Sequence, residues 1–226
     1  MVKMCSIVIN KYITIALDGA AGSGKSTTAH AICEKFKYIH VDTGLHYRAI
    51  SLYLLNLNIS PENTSAYLQS SPVFLSSELD KFSVYLYVNG IHYSKSELRN
   101  ERMNREVSYY ARLPEVRSLL LNYQRDLPVF GKNLGFSGII MDGRDIGSVV
   151  LPDADLKIYL HADLQVRQHR RLSDGEHDSI SSRDQIDSTR KVAPLTCPDG
   201  ALSIDTGKLP IQKVVQLISN EITSLL

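Results

Sequence analysis

A chain of 226 residues with 43% hydrophobic and 22% charged residues has the composition of one globular domain with room for an inserted lobe. Its net charge of +1 excludes the broad basic field of a nucleic-acid binder and the acidic tail of a chaperone-like protein, while leaving room for a local arginine cluster that grips a small polyanion. Three cysteines, Cys5, Cys33 and Cys197, occur without a CxxC pair, which argues against a disulfide framework or zinc site and for reduced thiols in a cytoplasmic protein.

The N-terminal run MVKMCSIVINKYITIALD is interrupted by Asn10 and Lys11 and leads into a glycine-rich loop in place of a cleavage site, so it does not read as a signal peptide. Ile13 to Leu17 predicts a buried strand, and AHAICEKF a helix running to about Phe36. A second strand is expected over Tyr38 to Asp42, and AISLYLLNLNI continues as a helix. The polar stretch SPENTSAYLQSSP precedes KFSVYLYVNGIHY, whose alternation and Asn89-Gly90 pair predict a hairpin within an inserted lobe. SELRNERMNREVSYYARLPEVRSLLLNYQRDL reads as helices broken near Pro114. Strands follow at Ile139 to Met141 and in ADLKIYLHA, then a basic helix, LQVRQHRRL. SDGEHDSISSRDQIDSTRK is nearly free of apolar residues and predicts a mobile loop. A last strand in DGALSIDT and an amphipathic helix starting at Pro210 close the chain. This order predicts an α/β protein with a mainly parallel central sheet flanked by helices, and no segment approaches the length of a membrane span.

Gly19 to Ser26, GAAGSGKS, fits the phosphate-loop pattern G-x-x-x-x-G-K-[ST]. The glycines let successive backbone N–H groups turn inward, so Gly19, Ala20, Ala21, Gly22, Ser23, Gly24, Lys25, Ser26 and Thr27 form the expected nucleotide cradle. Lys25 would reach the β- and γ-phosphates, and the Ser26 hydroxyl would ligate Mg²⁺. Against this stands a glycine-rich turn that binds nothing, which the strand before and helix after disfavour.

Further clusters narrow the chemistry. DTGLHYR puts Asp42, Thr43, Tyr47 and Arg48 at a strand end facing the crevice, although Asp42 and Thr43 serve equally well as helix caps. IIMDGRD ends a buried strand in Asp142, a candidate Mg²⁺ carboxylate, followed by Arg144 and Asp145, which a mutual salt bridge would also explain. Arg167, Arg170, Arg171, Arg183, Arg190 and Lys191 gather positive charge suited to phosphoryl transfer; Arg183 and Arg190, flanking Asp187, are the preferred candidates.

Together, DGAAGSGKST, DTGLHYRA, SELRNERMNREVS, MDGRDIGSVVLPDADLKIYL, RDQIDSTRKVAPL and ALSIDT resemble the bacterial-type cytidylate kinases of the P-loop nucleoside monophosphate kinase superfamily, in family order and over nearly the whole chain. The resemblance implies a single P-loop NTPase-fold domain over 1–226, with an inserted nucleoside-monophosphate lobe over about 63–107 and a short lid over 168–191. It implies phosphorylation of CMP and dCMP by ATP with Mg²⁺, by a cytoplasmic monomer without nucleic-acid or membrane partners. By match to family positions, Thr43, Arg48 and Arg144 would hold the acceptor's phosphate and sugar side, and Ser108, Arg117, Asp145 and Arg190 would read cytosine. Asp187 would contact the sugar, and Lys25, Arg144 and Arg183 would serve the transferring phosphoryl group. The base assignment is chemically sensible, because the cytosine amino group needs an acceptor such as Asp145 while O2 and N3 need donors.

Two departures stand out: the segment between Arg171 and Arg183 is short for the family, and His46 replaces an apolar residue, with packing its expected role. The alternatives are a small kinase acting on UMP, AMP or shikimate, a GTP-binding switch (disfavoured, as there is no N-K-x-D motif), and a degenerate nucleotide-binding module.

Overall fold

A computed structural model describes residues 11–175 and 180–226, with the side chain of Arg183 outside that description. The first half contains β1 (Ile13–Gly19), α1 (Lys25–Phe36), β2 (Ile39–Asp42), α2 (Thr43–Asn56), α3 (Thr64–Ser70), the hairpin of β3 (Leu75–Asp80) and β4 (Ser83–Val88), α4 (Lys95–Leu98), α5 (Glu101–Ala111) and α6 (Pro114–Asn133). The second contains β5 (Gly138–Gly143), β6 (Leu156–His161), α7 (Leu164–Ser173), α8 (Ile180–Thr189), β7 (Leu202–Asp205) and α9 (Ile211–Leu225). Among the described residues no helix is long and apolar enough to cross a membrane.

The strands form one sheet in the order β3-β4-β2-β5-β1-β6-β7, parallel throughout except for the antiparallel edge pair β3–β4. This is the expected α/β architecture, and it carries the P-loop kinase fold. Continuous apolar runs make β1 and β5 strands buried on both faces, as a parallel sheet covered by helices requires. One face packs Ile15, Leu17, Ile158 and Leu160 against Ile32 of α1 and Val214, Ile218 and Ile222 of α9. The other packs Ile39, Val41, Ile139 and Met141 against Leu127 of α6. A separate core joins α2, β4, α5 and α6 around Leu54, Val88, Tyr110 and Leu120.

Because β5 inserts between β1 and β2, their carboxyl ends lie side by side. Asp142 is in register with both Asp42 and Leu17, and Gly143 with Asp18. The sequence's charged strand ends therefore meet at the switch point of the sheet, where α/β folds place ligands.

Three local expectations need correction. The hairpin turns at Lys81-Phe82, pairing Ser83–Val88 with the upstream LSSELD strand, whereas Asn89-Gly90 makes a tight turn that yields only a bridge from Val88 to Ile91. Serines and acids alternate with leucine in β3, so its outer face hides the strand signal. That hairpin also extends the main sheet, through Ser83 beside His40. The polar stretch after α2 holds α3. Within the expected mobile loop, Ile180–Thr189 is the helix α8, while residues 176–179 lie outside the described set. Its hydrophobic period is weak because its inward face is acidic: Asp184 pairs with Arg167, and Asp187 lies 3.1 Å from Arg144.

His46 packs, as expected. It is 1% exposed, its ring edge meets Tyr123 at 5.4 Å, and neither ring nitrogen has a hydrogen-bond partner. Burial pushes its pKa down to about 4. The unfolded chain then takes up the proton first as pH falls below about 6.5, so His46 has no effect above that value and removes stability from there down to about 4. Asp18, which burial pushes up to about 6, works in the opposite sense, because the folded state holds its proton more tightly. His46→Met should therefore match or exceed the parent in urea melts at pH 7.5. It should exceed it by on the order of 3 kcal/mol near pH 4. An unchanged difference across that range would show that the ring is protonated inside the fold.

Candidate active site

The loop between β1 and α1 wraps around empty backbone geometry that only small residues permit. Gly19 has φ 150°, and a Cβ there would fall 2.1 Å from the Leu160 carbonyl oxygen; at Gly22, φ 73°, it would fall 2.8 Å from that of Arg167. The loop stays narrow, and Ala21, Gly22, Gly24 and the α1 N-terminus line one cleft. Lys25, Ser26 and Thr27 open the helix into that cleft, with Lys25 Nζ donating to the Ala20 carbonyl at 3.0 Å. Burial, reinforced by Arg144, pulls Lys25 down to about 7. A bound polyphosphate would reverse that shift by supplying the missing negative charge.

Asp142 sits across from Ser26, whose hydroxyl donates to Oδ2 at 2.9 Å, and His40 Nε2 is 3.4 Å from the same oxygen. Burial alone would raise Asp142, but His40, Lys25 and Ser26 together bring it down to about 2. An ionised carboxylate beside a serine hydroxyl at a phosphate loop is a hard-oxygen donor set that fits Mg²⁺, which keeps waters and phosphate oxygens as its other ligands.

Thr43 and Asp42 divide the two roles the sequence left open. Asp42 caps α2, accepting from Leu45 N at 3.2 Å, while the Thr43 hydroxyl donates to the Asp142 carbonyl at 2.8 Å. Arg48 is buried and donates to the Leu98 carbonyl and to Asn104 Oδ1, both at 2.7 Å, tying α2 to α4 and α5.

Beyond Asp142 the chain turns sharply. Asp18, fully buried at the end of β1, accepts from Ile146 N and Gly147 N, each at 2.7 Å, and fixes the single π-turn Ile146–Val150. That anchor sets the position of Asp145. Its carboxylate is paired with Arg117 and lies 3.4 Å from Arg190. Burial pushes Asp145 above the ordinary carboxylate range against the pull of both arginines. Arg117 also lies over the Tyr47 ring at 5.3 Å. Thr43, Arg48, Ser108, Arg144, Asp145, Asp187 and Arg190 line one small pocket here, with Arg117 behind Asp145. This pocket shares Gly44, Arg48, Gly143 and Arg144 with the phosphate-loop cleft.

The predicted residues thus converge, Arg183 excepted because its side chain is outside the described set. Arg167 turns away from the cleft centre, bonding the Ala21 and Ala162 carbonyls and pairing with Asp184. Sequence reasoning missed Arg99 and Asp174, which line the cleft together with Arg171, one of the basic candidates. It also missed an apolar-walled pocket on the far side of the loop, formed by His169, Arg170, Thr206, Leu209, Ile211 and Val214. Arg99 had a signal in SELR; the far pocket is assembled from segments distant in sequence and had none.

A phosphate loop, a magnesium-compatible carboxylate and an arginine-lined second pocket at the switch point of a parallel sheet define a P-loop kinase. The cytidylate kinase family model matches residues 15–224. A cytidylate kinase from Fusobacterium nucleatum subsp. nucleatum is 40% identical over 222 residues, 93% of this chain and 97% of that protein. One from Caldanaerobacter subterraneus subsp. tengcongensis is 37% identical over 222 residues, covering 93% and 95%. The chain belongs to the cytidylate kinase family.

Proposed function

We propose that the protein transfers the γ-phosphoryl group of ATP to CMP and dCMP, with the donor phosphates in the Gly19–Thr27 cradle and the nucleoside monophosphate in the pocket around Asp145. The observation that carries this reading is that the two cavities adjoin, with Gly44, Arg48, Gly143 and Arg144 in the walls of both, an arrangement suited to two nucleotides meeting phosphate to phosphate. The apolar-walled pocket beside Thr206 and Leu209 suits the donor's base.

In the acceptor pocket, the Asp145 carboxylate accepts from the cytosine amino group, and Ser108 and Arg117 donate to the ring oxygen and nitrogen. Uracil presents an oxygen where cytosine presents the amine, so it would face the carboxylate unpaired. Asp187 and Arg190 cover the sugar and base edges. Arg144 and Arg48, which also line the phosphate-loop cleft, and Thr43 would face the acceptor's phosphate. Ser26 and Asp142 would hold Mg²⁺, which supplies charge neutralisation on the donor phosphates. The acceptor is already an anion, so no general base is needed. Lys25, Arg144 and Arg183 act by positioning and by balancing charge on the equatorial oxygens. Residues 63–107 form the lobe that closes over the acceptor and 168–191 the lid, in a cytoplasmic monomer acting without nucleic acid or membrane.

An ADP-release assay with CMP, dCMP, UMP and AMP in parallel tests this assignment. CMP and dCMP should turn over at comparable efficiency, with UMP and AMP at least about 100-fold lower in kcat/KM. Equal efficiency for all four would remove the base-reading role from Asp145.

A further inference from the structure

Among the cations lining the cleft that faces Lys25, Arg99 comes from the helical lobe. Arg99 follows α4, whose start is fixed by a reciprocal cap: Ser94 N donates to Glu97 Oε2 at 2.8 Å, and Glu97 N donates back to the Ser94 hydroxyl at 3.3 Å. Its end is fixed by Arg48, which donates to the Leu98 carbonyl at 2.7 Å. The chain is therefore anchored before Arg99 at Leu98 and after it at Asn100, which caps α5 by accepting from Met103 N at 2.9 Å, where Arg99 enters the cleft alongside Lys25, Ser26 and Arg144. Arg48 meets the lobe through buried bonds to Leu98 and Asn104, so it also ties the lobe to the core while lining the cleft.

One partner of Arg99 is Asp42, at 2.7 Å through Oδ2. Asp42 caps α2 through its other oxygen, a task asparagine performs equally well. The carboxylate charge is thus superfluous to the cap and is directed at Arg99. The pair is partly solvated, at 31% and 15% side-chain exposure, so parting it is inexpensive. A phosphate dianion offers the same guanidinium a stronger, bidentate partner.

We propose that Arg99 is a phosphate-binding residue carried into the cleft by the helical lobe, exchanging the Asp42 carboxylate for the acceptor's phosphate when CMP binds. The inference rests on the assignment of this cleft to the phosphates. It makes closure of the lobe respond to the phosphate of the acceptor as well as to its base.

Calorimetric titration of CMP and of cytidine, which lacks the phosphate, into the wild type, Arg99→Gln, Arg99→Lys and Asp42→Asn tests it. Arg99→Gln should weaken CMP about 10- to 100-fold and leave cytidine within about twofold, the loss expected for one charge-assisted bond. Arg99→Lys should fall between, and Asp42→Asn should bind CMP as tightly as the wild type or more tightly. Equal loss for CMP and cytidine in Arg99→Gln, or loss of CMP binding in Asp42→Asn to match it, would make Arg99 a strut and overturn the proposal. A wild type that binds cytidine as tightly as CMP would instead overturn the cleft assignment, and the proposal with it.

Discussion

Lys25→Ala should lose about 10³-fold or more in kcat while its resting stability at pH 7 stays level or rises. The two halves of that expectation come from one fact. Lys25 is 8% exposed, and burial and Arg144 disfavour its charge in the absence of phosphate. With a folded pKa near 7 against an unfolded value near 10.5, the unfolded chain holds the proton more tightly across that window, so the ammonium subtracts stability below about pH 10. Removing it relieves that penalty. In the proposed complex the same charge would lie against the β- and γ-oxygens, where it would balance charge that grows in the transition state. Stopped-assay turnover and thermal melting measured on one preparation separate the two effects. Near-normal turnover would take Lys25 out of the phosphate cradle.

Asp145→Asn should have the second largest effect, on specificity as well as rate. The Asp145 carboxylate is 3% exposed and accompanied by Arg117 and Arg190. Neutralising it takes the carboxylate from Arg117 and leaves Arg190 only the 3.8 Å contact with Asp187, which destabilises the fold by about 3–5 kcal/mol. Asparagine keeps the shape but offers both a donor and an acceptor, so it can turn toward the uracil oxygen as readily as toward the cytosine amine. The CMP over UMP preference in kcat/KM should fall by about 100-fold, mostly through loss of CMP activity. A preference retained at full size, with only stability lowered, would assign Asp145 a purely structural part. Measurement at a temperature below the variant's melting transition keeps the two outcomes apart.

The site was legible where chemistry is written in short contiguous motifs. GAAGSGKS needs its glycines because Leu160 and Arg167 crowd the loop, and the same crowding fixes the motif in sequence. Asp142 and Asp42 were legible as strand ends because continuous apolar runs stop at them. What escaped was structure stabilised by charge or by partners far along the chain. The α8 helix buries acids against arginines of α7 and of the turn after β5, a pattern that pure periodicity scores as loop. The β3 strand alternates leucine with polar groups and depends on β4 for its register. In sequence Asp18 merely follows the predicted Ile13–Leu17 strand. Only the fold shows it reaching the Ile146 and Gly147 amides, 128 and 129 residues away, and so fixing the turn that follows Asp145.

The central claim is that two nucleotides lie end to end between the phosphate loop and the Asp145 pocket. A crystal structure with CMP, Mg²⁺ and a non-hydrolysable ATP analogue tests it most directly. The expected result has the cytosine amine on the Asp145 carboxylate, and a CMP phosphate oxygen about 3–3.5 Å from the terminal phosphorus of the analogue, in line with its leaving oxygen. CMP bound with its base away from Asp145, or the two phosphate chains in cavities that do not meet, would contradict it.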